Sequence, residues 1–482
     1  MKELKLFLTL SACGLLALAS QSCGRQNSTP ELKSPDGTEL TLDAETGLIK
    51  TPVPARAEGQ EDVIALRLDP MDSVRVGFIG QGMRGPDAVY RFANIDRTSV
   101  KALCDKHADR LATGQKHLAD AGRPKADEYV GEEAWKELCE RPDIDLVYIA
   151  TNWQNHVPMA VYAMEHGKNV AIEVPAAMNL EECWKLVDTA EKTRKHCMML
   201  ENCVYDFFEL TTLNMAQQGL FGDIVHVEGA YIHNLDEYWN EYEGNWRLDF
   251  NEKHRGDVYA THGMGPACQL IDIHRGNKMD YIVSMDSKAL NGPKAVARQG
   301  RDGSNFQNAD HTMSMIQTAN GQTMHIQHDV LTPRPYSRMY QLTGTDGFAN
   351  KYPMEGYAFR EIQDSTVVPD HENLDAHTFV PEDVKVALME KYKHPIQIET
   401  EETARKVGGH GGMDYIMDYR LVYCLLNGLP LDEDVYDAAE WSSLGELSRI
   451  SLANNSAPVE VPDFTRGSWK KLNGYHHFMK GE

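Results

Sequence analysis

The sequence is poor in basic residues for its length. Of its 482 residues, 48 are Lys or Arg and 72 are Asp or Glu, which gives a formal net charge of −24. A surface that binds nucleic acid needs clustered positive charge, so this balance argues against a nucleic-acid partner. The acidic surplus indicates a solvated surface, and the length is sufficient for the cores of two domains.

Cysteine is scarce and lacks the spacing of a metal site. The chain has nine cysteines, and no two of them form C-x-x-C. A structural zinc site is therefore not expected, and we predict no other metal site. We interpret most of the cysteines as small buried apolar residues.

Long apolar runs are missing after the N-terminus, which excludes a spanning helix of ~18 or more residues there. At the N-terminus, two lysines precede the apolar run Leu6–Ala19, which has the length of a signal-peptide core. Small residues then lead to Cys23, so residues 1–23 resemble a bacterial lipoprotein signal with Cys23 as the lipidated residue. Cleavage before Cys13, or a plain secretory signal, remains open. We expect an exported protein that reaches the membrane only through its lipid.

The most informative motif is a glycine turn between an apolar strand and a helix. Residues 74–79 are apolar and partly β-branched, and Gly80, Gly82 and Gly85 then match G-x-G-x-x-G. The first glycine permits a tight turn, the second lets the backbone approach a pyrophosphate, and the third lets the helix pack closely. An ordinary glycine turn is the alternative. The motif predicts a dinucleotide site at the N-terminus of the helix.

A carboxylate supports this prediction and selects the cofactor. The next apolar run ends at Asp105, about twenty-five residues after the first glycine, near the spacing at which an acid binds the ribose hydroxyls. Because a carboxylate would repel the 2′-phosphate of NADP, we predict NAD as the cofactor.

The pattern along the chain divides it into parts. Residues 24–70 are polar and rich in Ser, Thr and Pro, which predicts a flexible tether. Residues 71–202 alternate strands and helices, which predicts a doubly wound parallel sheet of the Rossmann type. Residues 203–430 contain alternating strands joined by turns, typical of an α+β domain with a mostly antiparallel open sheet. Residues 431–482 form a C-terminal helical segment. The fold class is therefore α/β.

Polar residues follow the predicted strands of the first domain, where the ligand crevice of an open α/β sheet lies. Trp153 could cover a nucleotide ring, and His156 begins a helix beside it, unless it makes only a structural hydrogen bond. Glu173 and Asn202 follow the next two strands and are expected at the same rim.

The glycine fingerprint, the strand ending in Asp105 and the Glu-x-Pro at Glu173 resemble the glucose-fructose oxidoreductase/inositol dehydrogenase superfamily. That resemblance implies a Rossmann domain joined to an open-sheet substrate domain. Most dehydrogenases of the superfamily have Glu-Lys-Pro, with the lysine at the reacting hydroxyl. Val174 stands in its place here, which argues against an ordinary alcohol dehydrogenase mechanism.

A larger set of motifs resembles glycoside hydrolase family 109, whose members are NAD-dependent glycosidases, typically α-N-acetylgalactosaminidases. The set extends from Val74 to Tyr415 and comprises Gly80–Pro86, Glu173–Ala177, Trp246–Arg247, Tyr259–Pro266, Pro335–Arg338 and His410–Asp414. The resemblance implies NAD contacts at Met83, Arg84, Asp105, Trp153, Gln154, Asn155, His156, Glu173, Val174 and Asn202. It implies sugar contacts at Tyr231, Arg247, Tyr259, Ala260, Thr261, His262 and Tyr336.

Three of these residues are candidates for proton transfer. Tyr259 and His262 would lie about one turn apart if their segment is helical, and a phenol and an imidazole converging on one sugar ring suit acid/base catalysis. Tyr336 would assist them. From the residues alone, tyrosine packing and a buried structural imidazole remain alternatives.

Together these observations predict a glycosidase that uses bound NAD as a recycled catalyst, an exception to the two-carboxylate mechanism. The substrate would be a glycan or glycoside, and a homo-oligomer is left open. One alternative is a sugar or cyclitol dehydrogenase with exchanging NAD. Another is a non-catalytic exported sugar-binding protein that holds NAD as a structural ligand.

Overall fold

The computed structural model describes residues 31–360 and 376–481. The predicted signal peptide and Cys23 lie outside the described residues. Within them, no helix is both long enough and apolar enough to cross a membrane. The seven cysteines of the described ranges are all buried and free, which confirms their interpretation as apolar packing residues.

A six-stranded parallel sheet forms the first half of the molecule, in the order β5-β4-β3-β6-β7-β8. Its central strands are buried throughout, as expected for strands covered by helices on both faces. This confirms the predicted Rossmann-type sheet. Its strands are β3 (Val74–Ile79), β4 (Thr98–Asp105), β5 (Asp127–Val130), β6 (Leu146–Ile149), β7 (Asn169–Ile172) and β8 (Cys197–Met199), and its helices are α1 (Gly85–Ala93), α2 (Leu111–Asp120), α3 (Ala134–Glu140), α4 (Trp153–Glu165) and α5 (Leu180–Thr193).

A ten-stranded, mostly antiparallel sheet forms the second half, in the order β1-β2-β16-β10-β11-β12-β9-β13-β14-β15. Only β12 with β9 and β16 with β2 pair in parallel. This confirms the predicted open sheet. Its strands are β1 (Thr41–Leu42), β2 (Ile49–Lys50), β9 (Ile224–Ile232), β10 (Met279–Asp286), β11 (Thr312–Thr318), β12 (Thr323–Asp329), β13 (Tyr340–Gly344), β14 (Gly347–Asn350), β15 (Gly356–Phe359) and β16 (Val459–Glu460).

Helices connect and cover this second sheet. Two of them, α7 and α8, follow β9 and carry several of the predicted sugar-binding residues. The helices are α6 (Phe207–Gln217), α7 (Trp246–Lys253), α8 (Thr261–Leu270), α9 (Asn291–Arg298), α10 (Glu382–Lys391), α11 (Pro395–Val407), α12 (Met413–Asn427) and α13 (Val435–Ala453).

The prediction of a flexible tether is wrong for the described part of residues 24–70. This segment supplies β1 and β2 to the second sheet, and Ile49 and Val63 are buried. Arg56 also donates to the buried carboxylate of Glu191 on α5, with both N–O distances 3.0 Å. The segment is polar overall, so its few buried apolar residues and its paired arginine did not stand out in the sequence. Each of these residues contacts partners far along the chain.

The C-terminal segment links the two halves. Helix α13 is buried along nearly its whole length and packs on both α5 and β10. Asp434 caps its N-terminus and Asp437 completes a capping box. Helix α12 packs against α1 and β3. Helices α12 and α13 therefore complete the core around the parallel sheet. Because α13 also packs on β10, it joins that sheet to the second sheet.

Candidate active site

The glycine turn has the geometry that the fingerprint predicts. Gly80 has φ +91°, and a Cβ there would lie 2.4 Å from the carbonyl oxygen of Ala150. A Cβ at Gly85 would lie 1.9 Å from the carbonyl oxygen of Gly80. At Gly82, by contrast, a Cβ would meet nothing closer than Arg110 Nη1, at 3.9 Å. The backbone at Gly82 thus borders open space that a pyrophosphate can fill.

Helix α1 points its N-terminus at this space. Its N-cap residue, Arg84, makes no side-chain capping hydrogen bond. Since the first-turn N–H groups of a helix have no intrahelical partners, they can bind an anion there, and the helix dipole favours it.

Asp105 lies at the end of β4, in the predicted place. Its carboxylate accepts hydrogen bonds from the backbone N–H of Gln81 at 2.7 Å and of His107 at 2.9 Å. It therefore also holds the glycine turn against the second strand. Asp105, Asn155 and the glycine turn line a groove of about 1060 Å³, which we call the dinucleotide groove.

A smaller cavity of about 380 Å³, the inner cavity, is lined from both sheets. Met83 and Arg84 line it as well as the groove, so the two spaces adjoin. The predicted residues that line the inner cavity are Met83, Arg84, Trp153, His156, Glu173, Val174, Asn202, Tyr231, Arg247, Tyr259, His262 and Tyr336.

Three residues that the resemblance implies as ligand contacts line neither the inner cavity nor the groove. Gln154 is exposed on α4 and lines neither space. Ala260 and Thr261 are buried beside a separate cavity of about 10 Å³ behind Tyr259. They occupy the start of α8, so their role in the cavity wall is to place the tyrosine and histidine on either side of them.

His262 is paired with a buried carboxylate that the sequence analysis did not single out. His262 Nδ1 lies 2.7 Å from Glu201 Oε1, and both side chains are almost fully buried. Burial and the nearby Arg338 lower the pKa of His262 to about 4. Burial would raise the pKa of Glu201, but His262 and Arg338 hold it below its ordinary value. At neutral pH the pair is therefore a neutral imidazole donating from Nδ1 to a carboxylate.

Arg247 lies inside a cage of aromatic rings. Its guanidinium carbon is 4.4 Å from the ring centre of Tyr259 and 5.2 Å from those of Trp153 and Tyr242. Nη1 donates to the hydroxyl of Tyr242 at 2.6 Å, whereas Nε and Nη2 are buried without a hydrogen-bond partner. Buried N–H donors are rarely left unpaired, so Arg247 is prepared for an acceptor oxygen of a ligand.

Arg338 connects three other residues of the cavity wall. Its guanidinium donates to the Tyr336 hydroxyl, to Cys203 Sγ and, at 3.4 Å, to Asn202 Oδ1. The side chain of Tyr336 is 44% exposed, so it lies at the mouth of the cavity. Burial raises the pKa of both Tyr336 and Tyr259 above the ordinary value, so both phenols are protonated at neutral pH.

The side of the inner cavity nearest the groove carries an ion-pair cluster. Asp414 accepts from Asn202 Nδ2 at 2.6 Å and lies 2.9 Å from His410 Nδ1 and 3.5 Å from Arg84. Burial opposes ionisation of Asp414, but His410 and the arginines keep its pKa below the ordinary value. Glu173 lies 3.9 Å from Arg84, and burial raises its pKa.

His156 has the structural role that the sequence left open. Its ring nitrogens lie 2.8 Å from the carbonyl oxygen of Pro175 and 3.2 Å from that of Thr151, and the side chain is fully buried. Trp153 stacks on Tyr259, with ring centres 5.5 Å apart and planes at 17°. It therefore joins the cofactor rim to the sugar-side wall.

Sequence reasoning missed the supporting residues of the site. Arg338, His410 and Asp414 lie inside quoted motifs, but their positions gave no sign of a contact with the rim. Glu201 directly precedes Asn202 just after β8, the sixth strand of the parallel sheet. Its place at the carboxyl end of a strand was the available signal.

Two buried clusters in the described residues have the spacing of metal ligands. One is Glu201, Cys203 and His262, and the other is His274, Asp434 and Asp437. Each already contacts a guanidinium: Arg338 donates to Cys203, and Arg275 donates to Asp437. Both clusters are therefore accounted for as hydrogen-bonded ion-pair networks.

The groove, the glycine turn and Asp105 fit NAD, and comparison with known families agrees. Residues 74–201 match the model described as "Oxidoreductase family, NAD-binding Rossmann fold". The fold and the groove define a protein with an NAD-binding Rossmann domain, with NAD as its cofactor. Residues 205–471 match "Glycosyl hydrolase 109, C-terminal domain". The chain belongs to glycoside hydrolase family 109, a family of NAD-dependent glycosidases, and the sequence resemblance is confirmed.

Curated relatives cover almost the whole chain. Glycosyl hydrolase family 109 protein 1 of Phocaeicola vulgatus is 63% identical over 447 residues, covering 92% of this chain and 95% of the relative. The protein of the same name from Bacteroides thetaiotaomicron is 65% identical over 432 residues, covering 89% and 92%.

Solved structures show the same fold at low identity. A levoglucosan dehydrogenase in complex with NADH and levoglucosan matches with a TM-score of 0.61 and 18% identity, over 81% of this chain and 100% of the other. The WlbA dehydrogenase of Bordetella pertussis, in complex with NADH and UDP-GlcNAcA, matches with a TM-score of 0.57 and 14% identity, over 82% and 99%.

Proposed function

We propose that the protein hydrolyses α-N-acetylgalactosaminides, or closely related glycosides, through a cycle of oxidation, elimination, water addition and reduction. The observation that carries this proposal is the buried pair of His262 and Glu201 in a cavity that adjoins the dinucleotide groove. Family membership supports NAD-dependent glycoside hydrolysis, and the polar groups of the inner cavity support the sugar.

His262 is the proposed base. Because Nδ1 donates to Glu201, Nε2 is the ring nitrogen with a free lone pair. When bound, NAD would accept a hydride from C3 of the sugar while the C3 hydroxyl loses its proton to solvent, and both would return at the end, so that no net oxidation occurs. Oxidation at C3 acidifies the proton on C2, and Nε2 removes that proton.

Tyr259 is the proposed acid. Burial keeps its phenol protonated, and its ring centre lies 5.2 Å from that of His262. As the C2–H electrons form a C1–C2 double bond, the C1–O bond breaks and the leaving oxygen takes a proton from the phenol. Water then adds at C1 and gives a proton to the phenolate of Tyr259, while the proton held on His262 Nε2 returns to C2. Tyr336, at the mouth of the cavity, assists the leaving group.

Arg247 supports an N-acetylated sugar. Its two unpartnered N–H groups can donate to an acceptor oxygen, and the carbonyl of an acetamido group is such an acceptor. A hydroxyl at the same position would satisfy them less well, because an amide carbonyl oxygen is the stronger acceptor and carries no proton of its own that needs a partner.

The decisive experiment is turnover of an aryl α-N-acetylgalactosaminide without added NAD. In D₂O, the released sugar should carry deuterium at C2, provided that the abstracted proton exchanges with solvent. Substrate labelled at C3 should give a transient trace of labelled NADH. Direct displacement by a carboxylate would give neither label.

Two other outcomes identify the alternatives. Stoichiometric NADH and an oxidised sugar, without release of the aryl group, would indicate a sugar or cyclitol dehydrogenase. Bound NAD and bound sugar without turnover would indicate an exported sugar-binding protein. Val174, in place of the dehydrogenase lysine, argues against the first of these.

We further propose that Cys23 is lipidated and that the protein is exported and anchored to the bacterial membrane. The signal-like N-terminus supports this. Cys23→Ala should move the protein from the membrane fraction to the soluble fraction, as measured by fractionation and immunoblotting. Unchanged fractionation would exclude Cys23, and Cys13→Ala would then test the other site.

A further inference from the structure

The wall of the dinucleotide groove opposite the glycine turn comes from the second sheet. Residues 239–246, which we call the strap, lie between β9 and α7 and include two short 3₁₀ turns. Trp239, 2% exposed, anchors the start of the strap in the core. Glu241 to Gly244 and Trp246 line the groove across from Gly82 and Asp105.

One carboxylate of the strap meets a lysine, a histidine and an arginine of the opposite wall. Glu243 lies 2.8 Å from Lys106 Nζ, 3.1 Å from His107 Nε2 and 2.9 Å from Arg110 Nη2. Hydrogen bonds from these residues, Lys106 first, lower the pKa of Glu243 to about 2. Glu243 therefore ties the strap to the Rossmann half, beside the ring contact of Trp246 with Trp153, whose ring centres are 5.0 Å apart.

Lys106, His107 and Arg110 follow Asp105 directly in the sequence or one helical turn later. In Rossmann domains, an arginine near the acid at the end of the second strand accommodates the 2′-phosphate of NADP. Arg110 fits that description, since Nη1 lies 3.8 Å from Asp105 Oδ1. Without a counter-charge, this cluster would attract a 2′-phosphate and weaken the discrimination that Asp105 provides.

We propose that Glu243 is a cofactor-retaining and specificity-determining residue, which latches the strap over bound NAD and neutralises the cations that would otherwise favour NADP. A dinucleotide in the groove lies between two walls that these ion pairs hold together. Isolated surface ion pairs contribute little. Here, however, three side chains converge on one carboxylate. All three contacts must break together for the strap to move away. The proposal rests on NAD binding and not on the identity of the sugar.

Retention suits a recycled cofactor. A dehydrogenase must exchange NADH for NAD after each turnover, whereas a hydrolase that returns its hydride gains nothing from exchange. A latch built from both halves of the chain would therefore slow cofactor loss without slowing the reaction.

The test compares Glu243→Gln with Glu237→Gln in the cofactor-loaded protein. Glu237 is an exposed carboxylate just before the strap that lines neither the groove nor the inner cavity. The change in charge is thus the same in both variants. Release of NAD is followed by rapid desalting and chromatography of the retained nucleotide, and exchange is followed by adding excess NADP.

Glu243→Gln should release NAD about tenfold faster, equivalent to about 1.4 kcal/mol, and should take up NADP more readily than the unmodified protein. Glu237→Gln should behave as the unmodified protein. Added salt should accelerate release from the unmodified protein and have little effect on Glu243→Gln, because the screened interaction is already lost.

A second variant separates the two parts of the proposal. Arg110→Gln removes one ion pair but also one cation, so NAD retention should fall while NADP uptake does not improve. Unchanged NAD release in Glu243→Gln, or equal acceleration in Glu243→Gln and Glu237→Gln, would overturn the latch. Faster release without any gain in NADP uptake would overturn the role in specificity. Because the readout is bound nucleotide, failure of the proposed glycosidase activity would not affect these outcomes.

Discussion

The dinucleotide groove binds mainly through backbone, whereas the inner cavity binds mainly through side chains. In the groove, three glycines within six residues and one helix N-terminus create the surface. In the cavity, Asn202, Tyr231, Arg247, His262 and Arg338 come from separate parts of the chain spread over more than a hundred residues. The first kind of site is local in sequence, and the second exists only once the two sheets pack together.

The largest effect is expected from a side chain at Gly82, because it would occupy the open space beside the backbone of the glycine turn. In Gly82→Val, the new side chain enters the open space that a pyrophosphate needs, so NAD should be lost and turnover with it. The fold should survive, because a Cβ there meets no atom closer than 3.9 Å. Nucleotide content after denaturation and the melting temperature measure the two effects.

Gly80→Ala is the matched control for Gly82→Val. Its Cβ would lie 2.4 Å from the carbonyl oxygen of Ala150, at a φ of +91° that disfavours side chains. It should therefore lower the melting temperature as well as the NAD content. Equal melting temperatures for both variants would show that a side chain at Gly80 strains the turn no more than one at Gly82, which would contradict this prediction.

The second prediction concerns the base in the inner cavity. His262→Ala should lower turnover by roughly a hundredfold or more, the usual scale for a lost acid/base group, while NAD stays bound. Solvent deuterium should disappear from C2 of any residual product. Full activity would contradict the proposed mechanism and leave NAD as a structural ligand. Loss of NAD in the same variant would show that the groove and the cavity are not separable.

The sequence was sufficient to predict the groove and the type of each of the two sheets. Glycine spacing and buried β-branched strands report local backbone geometry, which neighbouring residues determine. It was not sufficient to predict that Glu201 belongs to the site. Glu201 contacts His262 only because α8 packs against the turn that follows β8. Nor did the sequence reveal β1 and β2, because their partners lie far along the chain and their own composition is polar.

The third prediction tests how far the activity of His262 as a base depends on its hydrogen bond to Glu201. Glu201→Gln should lower turnover by about tenfold, less than His262→Ala, because a positioned amide oxygen can still accept from Nδ1. The backbone N–H of Cys203 donates to the same Oε1 and would hold that oxygen in place.

The pH profile separates positioning from structure in this variant. The base must be deprotonated, so turnover rises with pH through the pKa of His262, which is about 4. Glu201 raises that pKa. Its neutralisation should therefore move the acidic limb of the profile to lower pH. A profile that only loses height, without moving, would assign Glu201 a structural role.

The smallest effect is expected at Asp105, where the groove would contact the cofactor through a side chain and not through backbone. Asp105→Ala removes the acceptor for two backbone N–H groups and for the ribose hydroxyls, so NAD should dissociate several-fold faster. The glycine turn should persist, since Gly80 and Gly85 still fix its path. Retention is measured by desalting, with Asp96→Ala as a control at an exposed carboxylate that does not line the groove. If NAD is retained as before, or if the unmodified protein releases NADP on denaturation, the assignment of Asp105 as the ribose-binding acid is wrong.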